Sequence, residues 1–116
     1  MRIVNSSELG SIDVEGQKGK IKIIDFIKDE ELVFGLRIAG PATCAPKKIH
    51  RHPMRQAMYV IAGKGTVDNG KEVREFQEGD FLYFDKNEEH YFDSCSSDLV
   101  MIEVQFPQMC DPVDKE

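Results

Sequence analysis

No CxxC pair occurs in this chain: its cysteines, Cys44, Cys95 and Cys110, are odd in number and far apart. That spacing writes neither a thiolate zinc centre nor a dithiol redox pair, and three reduced thiols in a cytoplasmic protein are expected. Long apolar runs are missing as well, and no segment approaches the roughly 20 apolar residues of a membrane-spanning helix. The opening stretch "MRIVNSSELG" has one early positive charge but lacks the apolar stretch of a secretory signal. Excess positive charge is absent: 15 Lys and Arg against 21 Asp and Glu leave a formal net charge of -6. That balance argues against a nucleic-acid backbone or an anionic membrane surface as the main partner. Lys47, Lys48, Arg51 and Arg55 remain as a local basic group able to steer a small anion. Repeats, linkers and low-complexity tracts are lacking, and 116 residues suffice for one core, not two.

What is present is a series of short strand patterns. "KIKIIDFI" (20–27) lies between "GQKG" and "KDEE", and "ELVFGLRIA" (31–39) alternates, with Leu32, Phe34, Leu36 and Ile38 on one face. Gly40-Pro41 ends that run because proline cannot donate to a ladder. "AMYVIAGKGTV" runs into the hairpin signal "DNG" (68–70), whose central positions tolerate positive φ, and "KEVREFQ" returns. "FLYFD", "HYFDS" and "LVMIEVQF" complete the series, while "NSSEL" permits one short helical turn and the acidic tail "CDPVDKE" is expected to fray. Turn signals recur roughly every eight to twelve residues, the rhythm of an all-β sandwich or barrel. The expected fold is a small antiparallel β-barrel whose interior holds side chains or one ligand.

In "IHRHPMRQ" the two histidines His50 and His52 share one face of a strand, because alternate residues point the same way. A reversal after Pro53 can bring Gln56 beside them, and the third histidine, His90, follows the "DKNEE" turn much later. One metal ion held from two separate strands accounts for this use of histidine; neutral imidazole suits zinc, iron, nickel, copper and often manganese. By the same alternation Met58 and Val60 lie on the Gln56 face and Tyr59 on the other. In the last strand Met101, Glu103 and Gln105 share a face. Glu103 is the candidate acid or base if that face lines the interior; the alternative is that it is a solvated outer face. Tyr83 and Arg37 are weaker candidates, with structural or interfacial roles more in keeping with their positions.

These residues resemble the two motifs of the cupins. The first, G-x5-H-x-H-x3,4-E-x6-G, is similar to His50, Arg51, His52, then Gln56 at the glutamate position, with Gly63 closing it. The second, G-x5-P-x-G-x2-H-x3-N, is similar to Gly79, "DFLYF", Asp85-Lys86-Asn87 and His90. The resemblance runs from about Leu32 to Phe106. It implies a single cupin domain over 1–116: N-terminal strands in 1–30, a jelly-roll barrel core in 31–106 and a tail in 107–116. It also implies one divalent transition metal ion (zinc, nickel, iron or manganese) on His50, His52, Gln56 and His90, and a homodimer whose edge strand "MRIVN" could supply. Asp85 and Asn87 replace the motif's proline and glycine, with Asn87 able to take the left-handed conformation. Ser94 replaces the final asparagine, and "GPATCAPKK" makes a longer lead-in loop.

Glutamine in place of glutamate changes the charge. Three imidazoles and an amide oxygen are neutral, so a divalent ion would keep its full charge, favour an anionic oxygen ligand and acidify bound water. The same set departs from the two-histidine, one-carboxylate iron triad. The other reading of Gln56 is a hydrogen bond to nearby backbone, with the histidines holding the metal alone. The ligand set also resembles that of the small pectin-breakdown cupins that linearise unsaturated uronic acids. They share the HxHPxxQ segment, the YV-x-x-G after it and the final-strand carboxylate, here Glu103. Their C-terminal arginine has no counterpart, since Met109 stands at the nearest position. Three functions follow as expectations: a metal-dependent lyase or isomerase acting on a small oxygenated carboxylate or sugar acid, a dioxygenase, and a non-catalytic small-molecule sensor.

Overall fold

The computed structural model describes residues 1–16, 18–39 and 54–107, and the backbone alone of 42–50. His52, Met109 and Cys110 lie outside the described residues, as do the side chains of Cys44 and His50. After one 3-10 turn, Ser6–Glu8, come β1 (Ile12–Glu15), β2 (Lys20–Lys28), β3 (Val33–Ala39), β4 (Ala42–His50) and β5 (Arg55–Ala62). Then follow β6 (Lys64–Asp68), β7 (Val73–Gln77), β8 (Phe81–Phe84), β9 (His90–Cys95) and β10 (Val100–Phe106). They form a six-stranded sheet of order β1-β2-β3-β10-β5-β8 and a four-stranded sheet of order β4-β9-β6-β7, paired antiparallel throughout. This is the all-β antiparallel architecture that alternation and turn spacing lead one to expect, and the jelly roll that the cupin resemblance implies.

Several local expectations hold. Asn5 caps the short turn by accepting from the Ser7 backbone N–H, as an N-cap side chain does. Asn87 has φ of 62°, the left-handed conformation expected of it. Gln56, Met58 and Val60 are buried while Tyr59 is exposed, so the inner face of β5 follows the alternation.

Other elements differ for identifiable reasons. The run "AMYVIAGKGTV" is two strands in two different sheets, broken at Gly63, whose φ of +85° carries the chain from one sheet to the other. A Cβ there would lie 2.6 Å from Leu99 Cα, so both conformation and space call for glycine. The "DNG" hairpin closes through a longer loop than a two-residue turn. Asp68 pairs with Val73, and Asn69 Oδ1 accepts from the N–H groups of Lys71 and Glu72. Most of the segment expected as a lead-in loop falls in strand β4, and "MRIVN" forms no strand; the edge beside β2 is β1.

Between the sheets lies the core: Ile21, Ala39, Met58, Val60, Phe76, Leu82, Phe84, Phe92, Cys95, Leu99 and Met101. Phe76 and Phe92 meet edge to face, ring centroids 5.8 Å apart, which joins β7 to β9 inside the four-stranded sheet. No helix among the described residues is long and apolar enough to cross a membrane.

Candidate functional site

Among the described residues the apolar core is interrupted by four polar side chains: Arg37, Gln56, His90 and Glu103 are exposed by only 5%, 3%, 1% and 3%. A buried polar group must find partners, because each missing hydrogen bond carries the full desolvation penalty. Their positions follow from register. Glu103 on β10 stands opposite Gly35 on β3 and Met58 on β5, which makes Arg37 and Gln56 its diagonal neighbours on the same face.

Glu103 is where the bonds converge. Its Oε1 accepts from Arg37 Nε at 2.6 Å, and its Oε2 accepts from Gln56 Nε2 at 2.6 Å and Gln105 Nε2 at 2.8 Å. The face carrying Glu103 is therefore the inner one. Arg37 completes its fork on the far side, donating from Nη1 to Asp25 Oδ1 at 2.8 Å and to the Leu36 carbonyl at 3.0 Å. A buried guanidinium between two carboxylates is the compensated way to place such a charge inside a protein.

Two backbone features admit Asp25 to this chain. The β2–β3 register shifts between Asp25 and Ile27, a bulge at Phe26 that re-aims the strand beside it. Opposite Asp25 stands Gly35, and a Cβ there would collide with the Ile24 carbonyl and lie 2.5 Å from Asp25 Oδ1. Only a residue without a side chain leaves room for the carboxylate.

His90 opens β9 with its ring stacked on Phe84, centroids 3.9 Å apart and planes 10° from parallel. Its Nδ1 lies 2.9 Å from the Glu88 carbonyl oxygen. A carbonyl can only accept, so Nδ1 carries the proton, and in the neutral ring Nε2 is left as the lone-pair nitrogen. Phe84 also pairs with Gln56 across the β5–β8 ladder, and the backbone of His50 pairs directly with His90 across β4–β9. A line of side chains thus runs from Asp25 through Arg37, Glu103, Gln56 and Phe84 to His90, crossing from one sheet to the other.

Of the residues singled out in the sequence, the structure brings together Gln56 and Glu103, sets His90 beyond Phe84, and places the backbone of His50 opposite His90. His52 lies outside the described residues. Tyr83 is on the exposed face of β8 and takes no part. Among the described residues no group of three His, Cys, Asp or Glu side chains stands ready for a metal ion. The donor types fit one nonetheless: a histidine whose tautomer makes Nε2 the acceptor nitrogen, and an amide whose nitrogen, not its oxygen, is the end turned to a carboxylate.

Sequence reasoning missed Asp25. Its signal was a lone carboxylate within the apolar run "KIIDFI", across from a glycine. A cleft of about 310 Å³ opens between β7 and β8, lined by Phe76, Leu82 and Phe84, with Glu72, Arg74 and Glu88 among its polar residues. That volume is at the lower end for a small-molecule site.

The fold can be set beside solved structures. A predicted oxalate decarboxylase of Thermotoga maritima superposes with a TM-score of 0.73 at 18% identity, covering 91% of this chain and 99% of that one. An RmlC-like cupin of Shewanella frigidimarina gives 0.68 at 17%, covering 97% and 96%. KdgF from Halomonas sp. gives 0.68 at 20%, covering 92% and 95%. At these identities the likeness concerns the fold. No curated protein matches the sequence. The cupin domain family matches residues 41–104, more than half of the chain and the stretch that runs from β4 into β10; the chain belongs to that family.

Proposed function

We propose that the chain is a metal-dependent lyase or isomerase acting on a small oxygenated carboxylate or sugar acid. His50, His52, Gln56 and His90 would hold one divalent transition metal ion. The observation that carries this reading is a pair of buried side chains whose donors are already engaged: His90 through Nδ1 on the Glu88 carbonyl, and Gln56 through Nε2 on Glu103. The ring tautomer and the amide orientation these bonds set make His90 Nε2 and Gln56 Oε1 acceptors, the kind of atom a cation needs. The register setting His50 opposite His90 supports the ligand set further.

When bound, the ion would polarise a carbonyl or hydroxyl of the substrate and acidify a water molecule. The protein's own groups orient that site. Phe84 holds the His90 ring, and Arg37 and Glu103 hold Gln56. The proton-transfer role expected of Glu103 is not carried into this proposal, because its two oxygens already accept from Arg37, Gln56 and Gln105. Acidic residues around the β7–β8 cleft make that gap an unfavourable approach for an anion. The basic group Lys47, Lys48, Arg51 and Arg55 suits an anionic substrate better. A homodimer completes the proposal, formed through the apolar outer face of the six-stranded sheet.

The test is elemental analysis of protein purified without a nickel column, beside Gln56→Ala and His90→Ala. Near-stoichiometric zinc, nickel or manganese that falls in both variants supports the reading. Iron or copper would move the assignment to oxygen chemistry. No metal after soaking would overturn it and leave a metal-free small-molecule sensor in its place.

A further inference from the structure

The line from Asp25 to Gln56 does more than neutralise buried charge. An amide has two chemically different ends, and which end faces a metal decides whether it can ligate: the oxygen can, the NH2 cannot. Nothing in a glutamine side chain chooses between them, so the choice must come from outside it. At Gln56 it comes from Glu103. A carboxylate already paired with Arg37 at 2.6 Å presents only an acceptor to its other neighbour, so the Gln56 nitrogen must turn toward it. Arg37 is fixed in turn by Asp25, which reaches it through the bulge at Phe26 and the gap over Gly35.

We infer that Arg37 and Glu103 are positioning residues that set the orientation of the Gln56 amide, and that positions 56 and 103 form a matched pair requiring one amide and one carboxylate. This deepens, and rests on, the metal-site reading above. It also explains why glutamine stands where the cupin motif has glutamate. A carboxylate at position 56 would meet Glu103 Oε2 across 2.6 Å, two like charges with no donor between them. The amide at 56 thus follows from the carboxylate at 103, and the neutral ligand set follows from the amide.

The test compares wild type with Glu103→Gln, Gln56→Glu, the exchange Gln56→Glu/Glu103→Gln, and Arg37→Lys. Zn2+ affinity is read by competition with a chromophoric chelator, and urea unfolding of the metal-free proteins reports folding. Glu103→Gln removes no ligand atom, yet it should weaken Zn2+ binding about 10- to 100-fold, the usual cost of losing an orienting partner. The amide now at 103 offers a donor to Gln56 and turns its oxygen away from the metal. The exchange should recover binding, because the amide at 103 can accept from Arg37 and donate to the carboxylate at 56. Gln56→Glu alone should be the least stable metal-free protein. If it does not fold, Arg37→Lys keeps the proposal open to test: it retains the charge, loses the planar fork and should weaken Zn2+ binding in the same direction.

Wild type that binds Zn2+ while Glu103→Gln and Arg37→Lys bind as tightly would overturn the inference and leave the metal site standing. Losses in the two single variants that simply add in the exchange would overturn it equally. Wild type that binds none of Zn2+, Ni2+ and Mn2+ would overturn both the metal site and the relay aimed at it, and wild type that takes only Ni2+ or Mn2+ is compared with its variants on that ion.

Discussion

Phe84 lies flat against His90, ring centroids 3.9 Å apart and planes only 10° from parallel. The two residues sit on different sheets, so the stack is both a core contact and a clamp on the imidazole. With Nδ1 held by the Glu88 carbonyl and Phe84 covering one face, the ring has little freedom left. Phe84→Leu should remove the stack while keeping an apolar filler, costing about 0.5–1.5 kcal/mol beyond lost buried area. Urea unfolding of the metal-free protein checks the stability. Under the metal-site proposal Zn2+ affinity should fall as well, and affinity unchanged at reduced stability would mean the clamp serves packing alone.

Gly63 joins the two sheets at a point where nothing larger fits. Its φ is +85° and an added Cβ would stand 2.6 Å from Leu99 Cα and 2.7 Å from Leu99 N, both backbone atoms. The left-handed conformation alone costs a non-glycine residue about 1–3 kcal/mol, and a backbone collision adds to that because neither strand can yield freely. Gly63→Ala should therefore destabilise by more than about 3 kcal/mol. Gly10→Ala, where an added Cβ meets nothing within 4 Å, should be close to neutral. Comparable urea midpoints for the two variants would show that the chain crosses between the sheets with more slack than this geometry allows.

How much of this was legible in the chain depends on which physical signal each part carries. Strands and turns carry local signals, alternation and special backbone conformations, and most were readable. The inner face of β5, the left-handed Asn87 and the short capped turn after Asn5 all follow from nearest neighbours. The faces of β3 were not assignable in the same way. Phe34, Leu36 and Ile38 look like core residues, yet the buried face is Val33, Gly35, Arg37 and Ala39. An inward arginine is tolerated only because two carboxylates from β2 and β10 meet it, and such partners are distant in sequence. The β5–β6 break was hidden because Gly63 sits within an otherwise continuous apolar run. At the site, Gln56 was identifiable by its spacing from the histidines and Glu103 as a carboxylate in the last strand, but whether the Glu103 face turned inward or to solvent was not decided by alternation. Their bond to each other depends on the diagonal register of β10 against β5, which no local pattern encodes.

Cys95 makes stability pH-dependent at the alkaline end. Burial pushes its thiol from an ordinary value of 9.0 up to about 11, because the thiolate would be stranded in the core. In the unfolded chain the thiol ionises near its ordinary value, so between pH 9.0 and about 11 the folded state binds more protons than the unfolded one. Stability is then fully present below about pH 9 and falls as pH rises through the folded-state value, by at most about 1.4 kcal/mol per pH unit. Cys95→Ala should lower stability at neutral pH but show a flatter decline across this window. Unfolding free energies at pH 8, 9, 10 and 11, compared as wild type minus variant, isolate the thiol from tyrosine and lysine titrations common to both. A difference constant with pH would show that the thiolate is tolerated in the fold.

The outer surface of the six-stranded sheet is the last feature with a measurable consequence. Across β3, β10, β5 and β8 the register aligns Leu36 with Ile102, Ile102 with Tyr59, Tyr59 with Phe81, and Ala57 with Tyr83. Tyr59 and Phe81 are 49% and 66% exposed. A contiguous apolar patch of this kind is the surface through which the homodimer proposed above would form. Under that proposal a twofold axis would bring the same apolar strands of both copies together. Tyr59→Glu then places a carboxylate at the patch and, through the twofold, a second one facing it from the partner. Sedimentation velocity should show a dimer for wild type and a monomer for Tyr59→Glu, with the urea midpoint of the monomer shifted down by the lost association energy. Wild type that sediments as a monomer would refute the dimer, and a variant that stays dimeric would move the interface to another surface, such as the β1 edge.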